Sequence, residues 1–307
     1  MREAQALAVQ GINVDLVAKL KGELVGLIAK EEQMWQQRSK IHWLKSIDKN
    51  SKFFYSKATQ RFRRNRIIGL EDPNGVWCVG DENVAGMLED YYSKLFTTSN
   101  LSNFDEVTQH VGQIVAEEMN KDLIGDFNRR GVERALNQMA PLKALGSDGM
   151  PPIFYQHYWK NISANVTNEV LFCLNIGKIP SSLNHTYLTL IPKVKCLVKV
   201  MDFRPIALCN VLYKIISKVL ANRLKKILPC IISKFQSAFQ TNKVISDNIL
   251  VAFESLHHMK KKKKKRKKGK NGCMAMKLDM SKAYDKVEQS FLMKIMERMG
   301  FHSRWRG

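Results

Sequence analysis

The stretch Cys273-Met274-Ala275-Met276-Lys277-Leu278-Asp279-Met280-Ser281-Lys282-Ala283-Tyr284-Asp285-Lys286-Val287 decides how this chain reads. Met274 to Leu278 is a short apolar run that predicts a buried strand, with Asp279 at its C-terminal end. Val287, Phe291, Ile295 and Met299 then recur at helical spacing, so a helix follows. A carboxylate that leaves a buried strand just ahead of a helix is placed to hold a hard cation. Mg2+ takes oxygen ligands, usually one or two carboxylates together with substrate phosphates. The same position also suits a plain strand-end cap, and spacing alone does not separate the two.

Upstream of this stretch the chain is dominated by charge. Every residue from Lys260 to Lys270 except Gly269 is basic. That window holds ten positive charges of a net +22 over 307 residues, which leaves +12 elsewhere. A balance this basic points to a polyanionic partner, nucleic acid before membrane. The window is open to three readings: a nuclear-localisation patch, a nucleic-acid contact, or an enlarged surface loop whose like charges keep it solvated. Ahead of it, Ser246 to Met259 predicts a helix with Ser246 as N-cap and Leu250, Phe253 and Leu256 inward, and His257 and His258 read as helix-face residues rather than ligands. Val211 to Leu228 predicts a strong helix, its apolar face formed by Leu212, Ile215, Ile216, Val219, Leu220, Leu224 and Ile227, and ended by Pro229. Tyr187 to Pro192 is a short β-prone run.

Further out, Pro141 to Pro152 is a loop, Gly131 to Met139 a helix, and Gly80 to about Arg130 helical and polar. Asp72-Pro73-Asn74-Gly75 is a turn between Ile67–Leu70 and Val76–Val79, which predicts a hairpin. Trp43 to Arg66 mixes Phe53, Phe54 and Tyr55 with Arg61, Arg63, Arg64 and Arg66. Such interleaving suits a grip on nucleic acid, and equally an amphipathic helix with aromatics inward and arginines outward. Leu16, Leu20, Leu24, Leu27 and Ile28 predict a first helix. The expected division is a helical region, 1–130, and a main domain, 131–307.

With 45% hydrophobic and 25% charged residues, composition excludes collagen, a disordered tail and a disulfide miniprotein. The six cysteines form no Cys-x-x-Cys pair and no zinc spacing, so they read as reduced thiols buried as small hydrophobes in an intracellular protein. No apolar run reaches the ~18 residues of a membrane span, and the N-terminus lacks a signal-peptide core.

The stretch Leu278 to Val287 resembles the first catalytic block of reverse transcriptases from non-LTR (LINE-type) retrotransposons, of the kind abundant in plants. Other blocks match in order: Lys143-Ala144-Leu145-Gly146-Ser147-Asp148-Gly149, Leu190-Ile191-Pro192-Lys193, Asp202-Phe203-Arg204-Pro205 through Leu224, Gln236-Ser237-Ala238-Phe239, and Asp247-Asn248. Trp43-Leu44 to Phe53-Phe54 resembles the segment between the family's endonuclease and polymerase domains. The resemblance covers nearly the whole chain.

It implies an α+β fold: right-hand polymerase fingers and a partial palm, preceded by a mostly helical N-terminal region. It also implies an RNA template, a DNA primer, deoxynucleoside triphosphates and two Mg2+ ions that activate the primer hydroxyl and stabilise pyrophosphate. Asp279 matches the catalytic, metal-binding aspartate. Asp285 is not assigned to metal. Tyr284 matches the aromatic residue beneath the incoming sugar, where its ring would exclude a 2′-hydroxyl; it also continues the apolar stripe and suits a core aromatic. Lys193 and Arg204 are candidates for neutralising the triphosphate, although Arg204 equally suits an ion pair with Asp202. Gln236, Phe239 and Lys243 are the template candidates, Lys243 standing where the family usually has arginine in Pro-Gly-Arg. Ile47, Leu145 and Ser147 are further departures from the family's loops. The largest departure is an absence: no two adjacent aspartates occur in the 307 residues, although the family's second catalytic block is such a pair. The expectation is a truncated polymerase, inactive by itself, inside the cell and with the nucleus open as its address. The alternatives are a non-catalytic basic nucleic-acid-binding protein and a decayed remnant without function.

Overall fold

The computed structural model describes residues 14–39, 51–100, 103–237, 243–265, 274–278, 280 and 283–306. The chain forms two compact units, Met1–Met87 with Ile191–Arg204, and Leu88–Leu190 with Pro205–Gly307.

In the first unit, α1 (Val14–Ser39) packs on α2 (Ser51–Asn65). Phe54 is buried, and Trp35 meets Tyr55 edge-on with ring centroids 4.7 Å apart. Arg61, Arg63 and Arg64 stand in water, as an amphipathic helix requires, but Tyr55 and Phe62 are exposed beside them. The aromatics are therefore only partly turned inward. β1 (Gly69–Glu71) pairs antiparallel with β2 (Trp77–Val79), Gly69 opposite Val79. Asp72 Oδ1 closes the turn by accepting from the N–H groups of Asn74 (2.9 Å) and Val76 (2.8 Å), and Gly75 takes the positive φ of 86°. The hairpin expected from Asp72–Gly75 is thus present.

α3 (Asp81–Phe96) leads into the second unit. There follow α4 (Asp105–Thr108), α5 (Glu117–Ile124), α6 (Arg129–Asn137), α7 (Pro152–His157), α8 (Trp159–Ile176) and α9 (Ser181–Asn184). β3 (Tyr187–Pro192) and β4 (Phe203–Leu208) form a two-stranded sheet joined through a 3-10 turn, Val200–Asp202. Then come α10 (Val211–Leu224), α11 (Leu228–Ile231), α12 (Ile245–Lys265), α13 (Ala283–Lys286), α14 (Gln289–Arg298) and α15 (Ser303–Arg306). Many helices with few strands fit an α+β fold.

The main core lies where α6, α8 and α10 meet. Val132, Ala135 and Leu136 of α6 touch Val166, Val170 and Cys173 of α8 and Val211, Ile215, Ile216 and Val219 of α10. The helical periodicity of α10 selects this face, and burying it drives the packing. A smaller core joins Val115, Leu123, Ile227 and Phe301.

Five expectations are corrected. α10 stops at Leu224, and Pro229 sits in the first turn of α11, where its missing N–H leaves no bond unmade. α12 begins before Ser246, so Ser246 is no cap, and its helical backbone continues into the lysine run as far as Lys265. Leu250, Phe253 and Leu256 of that helix point to solvent, Phe253 being 68% exposed; periodicity selects an apolar face without supplying a cover. Met274 to Leu278 is neither strand nor buried, with Leu278 81% exposed, because no described strand pairs with it. Of the cysteines, only Cys173 is buried among those described, while Cys196 and Cys230 are exposed; Cys273 lies outside the described residues.

Candidate functional site

The β3–β4 hairpin displays the two basic residues singled out for phosphate. Strand alternation puts Phe203 fully inside and its neighbour Arg204 outside. Arg204 forms no ion pair among the described residues. The partner suggested for it, Asp202, is committed elsewhere: its carboxylate accepts from the backbone N–H groups of Lys199 (2.9 Å) and Val198 (3.1 Å). Lys193 is exposed at the end of β3. Its N–H donates to the Asp202 carbonyl (2.8 Å) and its Nζ to the Met201 carbonyl (2.9 Å). The hairpin tip is braced by Glu71, whose N–H donates to the Val198 carbonyl (2.8 Å) and whose carboxylate lies 3.6 Å from Lys199 Nζ.

The backbone bonds from Lys199 and Val198, and then the charges of Lys193 and Lys199, hold the Asp202 carboxyl below the usual carboxylate range. A folded value depressed below the unfolded one stabilises the tip above the ordinary carboxylate range, and that contribution is lost as pH falls through the depressed value. Asp202→Asn is expected to speed amide exchange at Val198 and Lys199 near neutral pH, with the difference from wild type closing in acid. Equal exchange at neutral pH would remove Asp202 as the closure.

Two sequence blocks whose bonded residues stand 62 and 63 positions apart meet in the second unit. The Lys143–Gly149 loop docks on the start of α10. Asn210 is buried, its Oδ1 accepting from Ser147 Oγ (2.8 Å) and the Asp148 N–H (3.1 Å), while its Nδ2 donates to the Ser182 carbonyl (3.4 Å). Asp148 Oδ2 accepts from the Val211 N–H (3.5 Å), which places a carboxylate at the positive end of the helix dipole. Lys214 Nζ donates to the Ala144 carbonyl (3.0 Å); burial lowers its pKa. Gly146 is obligatory for this approach, since a Cβ there would lie 2.6 Å from the backbone of Cys209 and Asn210. In the sequence Asn210 is marked only as an asparagine directly before a strong helix.

The template candidates fare differently. Gln236 is exposed, and its carbonyl accepts from Lys243 Nζ at 2.9 Å; the same ammonium also donates to the Lys234 carbonyl. Lys243 is thereby tied back to the chain at residues 234 and 236. Phe239 and Asp279 lie outside the described residues. Tyr284 is 94% exposed, which corrects its reading as a core aromatic: the helical stripe breaks between α13 and α14, and the ring is left in water. Among the described residues no group of three or more His, Cys, Asp or Glu side chains is placed to hold a metal ion.

A model of the reverse transcriptase (RNA-dependent DNA polymerase) family matches residues 191–306. Within residues 191–306 the chain carries a reverse transcriptase domain. The match begins in β3 and takes in Lys193, Arg204, Gln236, Lys243, Asp279 and Tyr284. The chain is 25% identical over 272 residues to the Transposon TX1 uncharacterized 149 kDa protein of Xenopus laevis, covering 88% of this chain and 20% of that protein. It is also 26% identical over 155 residues to the Retrovirus-related Pol polyprotein from type-2 retrotransposable element R2DM of Drosophila melanogaster, covering 50% of this chain and 14% of the polyprotein. Both relatives are, by their names, proteins of transposable elements. The chain spans a fifth or less of the relatives it matches. Reverse transcriptases use a divalent metal, and the described side chains of this domain do not by themselves compose a site for one.

Proposed function

We propose that the chain is the fingers and the beginning of the palm of an RNA-directed DNA polymerase from a LINE-type retrotransposon. The observation that carries this reading is the reverse transcriptase match over residues 191–306. In this reading RNA is the template, DNA the primer and deoxynucleoside triphosphates the substrates. Lys193 and the exposed guanidinium of Arg204 neutralise the triphosphate. Gln236, Phe239 and Lys243 lie along the template, and Tyr284 rejects a 2′-hydroxyl. Mg2+ is the ion assigned to Asp279. The plant-type character rests on the sequence blocks alone, and the intracellular address, with the nucleus open, on the thiols and the lysine run.

Paired-ion nucleotidyl transfer needs more carboxylate than Asp279 supplies, and the 307 residues hold no adjacent aspartates. In a primer-extension assay on an RNA template with Mg2+ or Mn2+, the polypeptide is expected to give no product above an Asp279→Ala control. Robust extension that depends on Asp279 would overturn the inactivity. Failure to bind a primed RNA template at low salt would overturn the functional reading itself.

A further inference from the structure

Glu288 stands nine residues after Asp279 and makes a contact that neither the family match nor the sequence blocks assign. Its Oε2 accepts from Thr98 Oγ1 (2.7 Å), and its Oε1 accepts from both the N–H (2.9 Å) and the Oγ (2.7 Å) of Ser99. These bonds, the backbone one first, hold the carboxyl below its ordinary range, so the acceptor is fully charged at neutral pH. Glu288 occupies the N-cap position of α14, yet its side chain makes no capping bond to that helix. The carboxylate is spent on the Thr98–Ser99 turn instead.

Two further contacts fix the same pair of segments. Asp105 Oδ1 pairs with Arg298 (3.0 Å) and Lys294 (3.7 Å) of α14, and Phe104 packs on Phe291 with centroids 5.4 Å apart. Tyr92 of α3 is buried near Asp285 and stacks on Phe96 at 5.9 Å. A groove of about 720 Å3 runs between Leu95–Asn100 and Asp285–Ser290, with Glu288 in its wall.

We propose that Glu288 is a positioning residue. Through Thr98 and Ser99 it fixes residues 283–292 on the end of α3, so that residues 92–100 and 103–105, N-terminal to the family match, belong to the frame of the polymerase site. Its consequence for polymerisation rests on the proposed function; the clamp itself does not.

Hydrogen exchange read by mass spectrometry on the full chain tests it, without any need for catalysis. In Glu288→Ala and in Thr98→Val/Ser99→Ala, peptides covering 283–292 are expected to exchange about tenfold faster or more, as local opening loses its brake, while peptides from α6 and α10 stay unchanged. Glu288→Gln keeps an acceptor oxygen and should fall in between. Glu288→Ser is the discriminating variant, because serine caps a helix well but cannot reach Thr98 or Ser99. It should behave like alanine. Wild-type protection in Glu288→Ser would make the residue a helix cap and overturn the proposal, as would unchanged exchange in Thr98→Val/Ser99→Ala. Because no activity is read, failure here is distinct from failure of the polymerase reading.

Discussion

Affinity of the chain for a short RNA will fall about a thousandfold between roughly 50 and 200 mM salt, as expected when six or more phosphates are neutralised and their counterions released. The source is the +22 net charge. Exposed Lys193, Lys195, Arg204, Lys260 and Lys261 place part of it in solvent, where nucleic acid can reach it. Fluorescence anisotropy of a labelled oligonucleotide across a salt series measures the slope. Deleting Lys260–Lys268 removes nine positive charges and should flatten the slope without abolishing binding, because +12 remains outside the window. A slope unchanged by the deletion would take the tract out of the interface. A flat salt dependence of the whole chain would take away the polyanionic partner.

Arg223→Ala is expected to destabilise the second unit by about 3 kcal/mol, from lost charge-assisted hydrogen bonds of ~1.5–3 kcal/mol each, partly offset by water. From α10 the Arg223 guanidinium donates to the carbonyls of Leu123 (2.8 Å), Gly125 and Asp126 (2.9 Å), the orphan acceptors at the end of α5. The same group lies 3.7 Å above the Phe127 ring, a cation–π contact. Burial lowers its pKa, with Asp122 and Asp126 opposing that shift. Arg223→Lys keeps the charge but offers one point instead of a fork, and should recover less than half the loss. Chemical denaturation with a common slope reads both variants. A loss below ~0.5 kcal/mol, the range of ordinary surface substitutions, would show that water replaces the guanidinium at no cost.

Periodic and local features were legible in the sequence. The inner face of α10 is the stripe of Ile215, Ile216 and Val219, because one buried face repeats every 3.6 residues. The Asp72–Gly75 turn was legible because its chemistry is contained in four residues. β3 was visible, whereas β4 was not, since Pro205 stands inside it; a two-stranded sheet tolerates proline where its free edge needs no donor.

What depends on distant partners was not legible. Asn210 meets Ser147 across 63 residues and Glu288 meets Ser99 across 189, and no spacing rule reaches that far. The outward turn of Phe253 and Tyr284 has the same origin: a sequence marks an apolar side chain without saying what lies opposite it. In the candidate site, the residue types were readable from resemblance. Their partners, such as the backbone N–H groups that occupy Asp202 and the carbonyls that occupy Lys243, came only with the fold.

The continuation of α12 through Lys265 has a consequence in linear charge density. A helical lysine run sets one positive charge about every 1.5 Å of rise, close to the one negative charge per ~1.7 Å along a nucleic-acid duplex. Lysines three and four positions apart repel and disfavour the helix, by roughly 0.2–0.5 kcal/mol per pair. The like charges of the lysine run therefore oppose the helical backbone of its last turns, an opposition that a neighbouring polyanion would relieve.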